Sequence, residues 1–209
     1  MRRRMRNIWT LGAITVAIAL FAILGIVQTK KSHDTVAVAK DIPSAQDGLP
    51  SIGGSFQLVD TTGKVWKNTD FKGKPMLVYF GYAYCPDICP TALSNMTKAI
   101  EVLGGGNVIQ PIFITLDPER DSPANLGSYA QNFHKDFIML TGTRDQVNDI
   151  KAAYKVHAAR TSTDPDYLMD HSSLIYLMDK DGIYRAHFNH NTPPEEIVER
   201  VNRYIEKGI

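Results

Sequence analysis

The chain contains only two cysteines, and they lie close together in a short motif. Cys85 and Cys89 are four positions apart, each is followed by a proline, and the motif joins an apolar segment to a segment with helical periodicity. Two thiols at this spacing can close a disulfide bond, or they can bind one soft metal ion together. The surrounding sequence has to distinguish between these two chemistries.

The segments around the cysteines predict alternating strands and helices. A hairpin at 55–66 precedes a continuous apolar run from Pro75 to Gly81, which is typical of a strand buried on both faces. Pro90 suits the first turn of a helix, because its missing N–H would be unpaired there, and the glycines of 104–106 end that helix. We predict further strands at 108–116 and 137–140, helices at 123–133, 143–154 and 194–205, and a hairpin of 173–178 with 183–188.

This order predicts an α/β sandwich with a mixed central sheet. A cysteine pair at the carboxyl end of the first buried strand, beside a helix N-terminus, is the thioredoxin arrangement. A helix N-terminus lowers the pKa of a nearby thiol, so this position suits reactive or metal-binding sulfurs. Thioredoxin itself has two residues between its cysteines, whereas this chain has three.

A metal site with two thiolates needs a third donor, and His171 is the histidine whose position fits best. It lies at the entry to the first strand of the terminal hairpin. In a thioredoxin-like fold this entry loop lies beside the cysteine pair. The residue usually found there is a proline, and none occurs between Asp166 and Thr192. An imidazole at this place can reach both sulfurs. The alternative is a loop histidine that is bonded to the backbone.

The other five histidines are not expected to bind a metal. His33 falls in a polar segment, and His134 ends a predicted helix on its polar side, where we expect it to be exposed to solvent. The remaining three are His157, His187 and His190.

The N-terminal segment predicts a membrane anchor. The 20 residues from Ile8 to Val27 are uncharged, and as a helix they would span about 30 Å, the thickness of a bilayer's hydrocarbon core. Four arginines precede this segment and two lysines follow it, so the arginine-rich end should stay in the cytoplasm. A cleavable signal peptide is the alternative, but its apolar core usually covers only about 7–15 residues.

We therefore expect three parts: a basic end with the anchor at 1–31, a tether at 32–50 and one domain at 51–209. Only six residues separate Met1 from the apolar segment, too few for a mitochondrial transit peptide. These features favour a bacterial inner-membrane protein whose C-terminal domain faces the periplasm. The exported part has 17 basic and 22 acidic residues, a net charge of −5, which gives little support to a nucleic-acid role.

An exported protein with two cysteines would by default hold a structural disulfide. A bond between Cys85 and Cys89 would close so short a loop that it would remove little entropy from the unfolded chain. The domain is also large enough to fold without it. The purely structural reading is therefore the weaker one.

Three motifs resemble the Sco/SenC proteins, which are membrane-anchored, thioredoxin-like copper chaperones for cytochrome c oxidase. The motifs are Gly-Tyr-Ala-Tyr-Cys-Pro-Asp-Ile-Cys-Pro-Thr-Ala-Leu (81–93), Phe-Ile-Thr-Leu-Asp-Pro-Glu-Arg-Asp (113–121) and Asp-His-Ser-Ser (170–173). The resemblance extends from about Ile52 to the C-terminus, and the anchor also matches in position. Ser172 stands where the family often has threonine, a small departure that does not affect the expected ligands.

The resemblance implies that Cys85, Cys89 and His171 bind one copper ion, as Cu(I) or Cu(II). It implies a metallochaperone rather than an enzyme, which delivers copper to the copper centre of an oxidase subunit during assembly. A copper donor and a periplasmic thiol reductant are implied as further partners. Zinc could use the same ligands with a water molecule. Copper is favoured because Cu(II) binds more tightly than zinc in general and thiolates select Cu(I).

Two other functions use the same sulfurs. A thiol–disulfide oxidoreductase would reduce the cysteines of the oxidase subunit, with Cys85 as the attacking thiol, and one protein could perform both roles. A peroxidase of the thioredoxin superfamily fits less well, because Tyr82 stands three residues before Cys85, where a threonine or serine is expected.

The second motif contains charged residues with no assigned chemistry. Asp117, Glu119 and Arg120 could form an ion-paired loop that shapes the site or a partner surface, or they could form a solvated turn after a strand. We do not expect them to be ligands.

Overall fold

The structure is a computed structural model that describes residues 50–207. Within this range no helix is both long enough and apolar enough to cross a membrane. The predicted anchor, Ile8 to Val27, lies outside the described residues, and so does all of the predicted tether except Pro50.

Nine strands and four α-helices make up the described part of the chain. The strands are β1 (Gln57–Asp60), β2 (Val65–Lys67), β3 (Met76–Gly81), β4 (Gln110–Thr115), β5 (Ile138–Thr141), β6 (Ala158–Arg160), β7 (Met169–His171), β8 (Leu174–Met178) and β9 (Tyr184–Asn189). The helices are α1 (Ile88–Leu103), α2 (Pro123–Ala130), α3 (Arg144–Tyr154) and α4 (Pro194–Glu206), with short 3₁₀ helices at Asn68–Phe71 and Gly105–Asn107.

Seven strands form one mixed sheet in the order β2-β1-β5-β4-β3-β8-β9. The central strands β3, β4 and β5 run parallel, as strands joined by helical crossovers do, while β8 pairs antiparallel with β3. The two predicted hairpins, β1–β2 and β8–β9, are both present. The predicted mixed α/β sheet is thus confirmed, and β3 lies near its middle.

The two faces of β3 serve different purposes. Every residue of β3 is buried, as its continuous apolar run predicts. Successive side chains point to opposite faces of a sheet. Val78 and Phe80 belong to the core cluster that also contains Ile150 and Tyr154 of α3. Tyr79 therefore points to the opposite face, where it meets Cys89 of α1.

Helix α1 begins at Ile88, so Pro90 lies in the first turn as predicted. A residue there has no intrahelical partner for its N–H in any case, so proline costs no hydrogen bond. This start places Cys89 inside the helix. Gly104 ends the helix with a left-handed backbone conformation (φ 99°), which glycine adopts without steric cost.

The structure differs from the sequence prediction at one helix end and in one small sheet. Helix α2 ends at Ala130 rather than near Phe133, because Asn132 and Phe133 turn away with hydrogen bonds to the carbonyl groups three residues before them. Strands β6 and β7 form a separate two-stranded sheet that we did not predict. Strands of three residues are too short to show a recognisable alternation in the sequence.

Candidate metal centre

Cys85 and Cys89 lie where β3 passes into α1. Cys85 is partly exposed in the loop, and Cys89 is completely buried in the first turn of the helix. Both are free thiols, and the backbone N–H of Cys89 points at Cys85 Sγ over 3.4 Å. The N-terminus of α1 thus directs a donor at the exposed sulfur, as at the reactive cysteines of other helix N-termini.

The structure brings His171 to this pair. His171 Nε2 lies 3.6 Å from Cys89 Sγ, and the three donor atoms of Cys85, Cys89 and His171 all lie within 4.8 Å of one another. His171 Nδ1 is 3.1 Å from the carbonyl oxygen of Ser172. A carbonyl only accepts, so Nδ1 carries a proton, and Nε2 is the ring nitrogen that faces the sulfurs. Nε2 is therefore the nitrogen that a metal would use.

The unpredicted strand β7 holds His171 in place. In the small sheet His171 pairs with Ala158 of β6, and the N–H of Ser172 bonds to the carbonyl of His157, so the backbone around His171 is held against β6. The hydroxyl of Tyr82 accepts a hydrogen bond from the N–H of Met169 over 3.2 Å. The ring of Tyr82 also meets the imidazole edge-on, with ring centres 5.8 Å apart. The cysteine loop and the histidine strand are thus tied together by Tyr82.

The pKa values of the two thiols are shifted in opposite directions. Hydrogen bonding from the Cys89 side chain, and then from His171 and the backbone N–H groups of Cys89 and Asp87, holds the pKa of Cys85 well below its usual range despite partial burial. The interaction with Cys85 and the burial of its own sulfur raise the pKa of Cys89. Without a metal, Cys85 is the thiolate and Cys89 keeps its proton. A soft cation that binds both sulfurs displaces that proton.

The charged loop after β4 is an ion-paired structure and not a solvated turn. Asp117 is only 2% exposed, and it accepts hydrogen bonds from Arg120 Nε at 2.5 Å and from the hydroxyl of Tyr167 at 2.6 Å. The guanidinium of Arg120 lies over the ring of Tyr167, 3.7 Å from its centre, and also faces Tyr84. Glu119 forms ion pairs with arginines of α3 and β6. None of these carboxylates joins the group of metal donors.

Asp121, the last residue of the same motif, supports the cysteine loop. It is completely buried, and its Oδ2 accepts hydrogen bonds from Thr115 Oγ1 at 2.6 Å and from the N–H of Ala83 at 3.0 Å. Burial raises its pKa to about 6. We assigned no role to Asp121 from the sequence. The sequence shows that Asp121 closely follows a buried strand. It does not show the contact with the cysteine loop, because Ala83 lies 38 positions away.

The remaining histidines do not come together with acidic groups or thiols into a second cluster within residues 50–207. The prediction for His134 was wrong: its side chain is only 14% exposed, and its Nδ1 accepts a hydrogen bond from the N–H of Asp136. His157 is exposed next to the small sheet, His187 is bonded to Tyr184, and His33 lies outside the described residues.

Comparison with known proteins agrees with this arrangement. The family model described as SCO1/SenC matches residues 44–206. The SCO2-like protein of Rickettsia conorii is 44% identical over 152 residues, which cover 71% of this chain and 74% of that protein.

The fold is shared with solved structures. Copper-bound ScoI of Bradyrhizobium japonicum has 41% sequence identity and a TM-score of 0.69, over 73% of this chain and 99% of that one. BsSco, described as a member of the Sco family of cytochrome c oxidase assembly proteins and as containing a disulfide switch, has 25% identity and a TM-score of 0.61, over 75% and 95% of the two chains. The predicted thioredoxin-like fold is confirmed, and the chain belongs to the SCO1/SenC family.

Proposed function

We propose that this protein is a membrane-anchored copper chaperone that delivers copper to the copper centre of cytochrome c oxidase during its assembly. Copper is its cargo, bound one ion per chain by Cys85, Cys89 and His171. The observation that carries the proposal is the convergence of two sulfurs and one imidazole nitrogen within 4.8 Å of one another.

The donor set suits copper in both oxidation states. Two thiolates and an imidazole satisfy three-coordinate Cu(I), and Cu(II) can add a water or an oxygen ligand. Zinc could be held by the same donors and a water molecule, but thiolate donors and the general order of affinities favour copper. A copper-bound relative with 41% identity supports the same choice.

The site is also suited to releasing its cargo. Cys85 is partly exposed, while Cys89 is buried behind it. A partner's thiolate can therefore approach the metal from the side of Cys85 and replace its ligands one at a time. Copper binding requires both sulfurs to be reduced, so a periplasmic thiol reductant and a copper donor are part of the proposal.

The location follows from the sequence. We propose that Ile8 to Val27 anchor the chain in the bacterial inner membrane and that the domain lies in the periplasm, because the arginine-rich flank precedes the apolar segment. The bacterial relatives in Rickettsia support a bacterial setting. From the periplasm, the domain would be able to reach the copper centre of the oxidase subunit.

The direct test is the copper content of the reduced full chain, purified in detergent and passed through gel filtration. We expect one copper ion per chain, and a sulfur-to-copper charge-transfer absorption in the Cu(II) form. A double Cys85→Ser, Cys89→Ser variant is the matched control and should retain none. Wild-type protein that retains no copper would overturn the chaperone proposal.

A second function, reduction of disulfides in the oxidase subunit, is favoured by one observation. Cys85 is a partly exposed thiol with a lowered pKa, and Cys89 is a buried thiol with a raised pKa. This asymmetry matches an attacking thiolate and a resolving thiol. Attack by Cys85 on a partner disulfide would give a mixed disulfide, which Cys89 would resolve with release of the reduced partner.

A further inference from the structure

The sulfur of Cys89 packs closely against two residues of strand β3. Tyr79 is completely buried, and its hydroxyl donates a hydrogen bond to Cys89 Sγ at 3.7 Å. A Cβ atom on Gly81 would come within 2.7 Å of the same sulfur, so the sulfur occupies the space that a side chain at Gly81 would need. One residue of the strand makes room for the sulfur, and the residue two positions earlier bonds to it.

The phenol that makes this bond is rigidly held. Tyr79 pairs with Phe113 of β4 on one side and with Ile175 of β8 on the other, so its backbone is fixed in the middle of the sheet. Its ring packs against the ring of Phe113, with centres 6.4 Å apart. A donor on a rigid element keeps its direction when the charge of its acceptor changes.

We propose that Tyr79 is a positioning residue that favours the reduced state of this site, both Cu(I) over Cu(II) and dithiol over disulfide. For copper the inference rests on the proposed function. Two thiolates and an imidazole give the site one more negative charge with Cu(I) than with Cu(II). A donor aimed at the sulfur stabilises the more negative state more strongly, since hydrogen bonds around a cysteine sulfur tune the copper potential.

The same argument applies without metal. A reduced Cys89 sulfur accepts the phenol hydrogen bond better than a neutral disulfide sulfur does, and better still as a thiolate. With glutathione disulfide as oxidant, the Cys85–Cys89 bond forms while the glutathione S–S bond breaks. Cys85 attacks as the thiolate, so the proton of Cys89 and one proton from the solvent end on the two glutathione sulfurs. Tyr79 should shift this dithiol–disulfide equilibrium towards the dithiol.

The test compares the full chain in detergent as wild type, Tyr79→Phe and Tyr129→Phe. Tyr129 is the matched control, because its hydroxyl is also buried, near the same aromatic cluster, but has no hydrogen-bond partner within the described residues. Cu(I) affinity is measured by competition with bicinchoninate, Cu(II) affinity by competition with glycine, and the dithiol–disulfide equilibrium in glutathione buffers.

In Tyr79→Phe we expect the ratio of Cu(II) to Cu(I) affinity to rise about tenfold, which is 59 mV for one electron. The sulfur-to-copper band should move to longer wavelength, because the sulfur electrons are less tightly held. The glutathione equilibrium should move about fivefold towards the disulfide, as the loss of one hydrogen bond predicts. Tyr129→Phe should match wild type in all three measurements.

Insertion of 3-fluorotyrosine in place of Tyr79 covers the case in which Tyr79→Phe fails to fold. It keeps the ring and the hydroxyl but makes a stronger donor, so each change should have the opposite sign. Equal values in wild type and in the Tyr79 variants would overturn the inference while leaving the copper proposal intact. If wild type binds no copper, the chaperone proposal fails, and the glutathione equilibrium alone decides the role of Tyr79.

Discussion

Cys89 Sγ and His171 Nε2 lie 3.6 Å apart although the two residues are 82 positions apart in the sequence. Helix α1 supplies the sulfur and the short strand β7 supplies the nitrogen. Cys85 lies in the loop before α1, so the three side chains come from a loop, a helix and a strand. The site therefore exists only in the folded domain, which makes its properties sensitive to residues that hold α1 and β7 together.

Replacement of His171 by alanine should distinguish copper delivery from disulfide reduction. The variant loses one of three proposed protein donors. Even changes to groups that only orient a metal ligand lower metal affinity 10–100-fold. We expect Cu(II) binding to weaken by at least about 100-fold, and oxidase assembly to fail. The Cys85–Cys89 disulfide should still form and be reduced, because both sulfurs remain. His157→Ala, an exposed change beside the same small sheet, should behave as wild type. Oxidase assembly that survives in His171→Ala but fails in Cys85→Ser would favour the oxidoreductase.

The membrane topology can be tested with a reporter fused after Ile209. Because the arginine-rich flank precedes the apolar segment, we expect activity of a periplasmic reporter such as alkaline phosphatase and none from a cytoplasmic one. Removal of residues 2–27 is the matched control and should leave the reporter in the cytoplasm. Activity of the full-length fusion only in the cytoplasm would refute the predicted orientation.

Gly81→Ala should disturb the packing around the Cys89 sulfur. The new methyl group would lie 2.7 Å from Cys89 Sγ and 3.0 Å from the rings of Phe113 and Tyr79, all of which are buried. Overpacking of this kind costs about 1–3 kcal/mol of the free energy of unfolding. Copper affinity should fall as well, because the displaced atom is a ligand. In Gly127→Ala, where the nearest atom is 3.7 Å away, the free energy of unfolding should stay equal or rise. Equal stability of the two variants would contradict this account of Gly81.

Asp121 should make the protein less stable as the pH rises. Burial raises its pKa to about 6 from the ordinary value of 3.8, so between these values the folded state holds a proton that the unfolded state has lost. Stability from this group is fully present below about pH 4 and is lost up to about pH 6, on the order of 3 kcal/mol. Asp121→Asn should remove that dependence, seen as a change in the stability difference from wild type in urea titrations at pH 4 and 7. A difference that does not vary with pH would contradict the buried-carboxylate account.

The sequence allowed the proximity of Cys85, Cys89 and His171 to be predicted, because their chemistry is visible in residue type and spacing. The strand–loop–helix context of Cys85 and Cys89 is local, and the position of His171 follows from the order of the elements. The supporting residues could not be predicted in the same way. Tyr79 and Tyr82 read as apolar core in the sequence, and their contacts depend on which face of β3 meets α1 and on a strand too short to recognise.

The error at His134 has a similar cause. A histidine at the end of an amphipathic helix reads as solvent-exposed, but α2 stops at Ala130 and the following turn folds His134 against Thr97 of α1. Beyond this end, Phe133 packs against Tyr129 and Phe137, contacts that local helix propensity does not contain. Such tertiary contacts decide both the boundaries of the elements and the identity of the residues around the metal donors.

The most direct test of the copper site is pulsed electron paramagnetic resonance of the Cu(II)-loaded full chain. We predict coupling from the nitrogen of a single imidazole in the wild type, absent in His171→Ala and unchanged in His157→Ala and His134→Ala. Cu(II)-loaded protein that keeps the same imidazole coupling in His171→Ala would contradict the assignment of His171 as a ligand, and with it the three-donor site on which the proposed function depends.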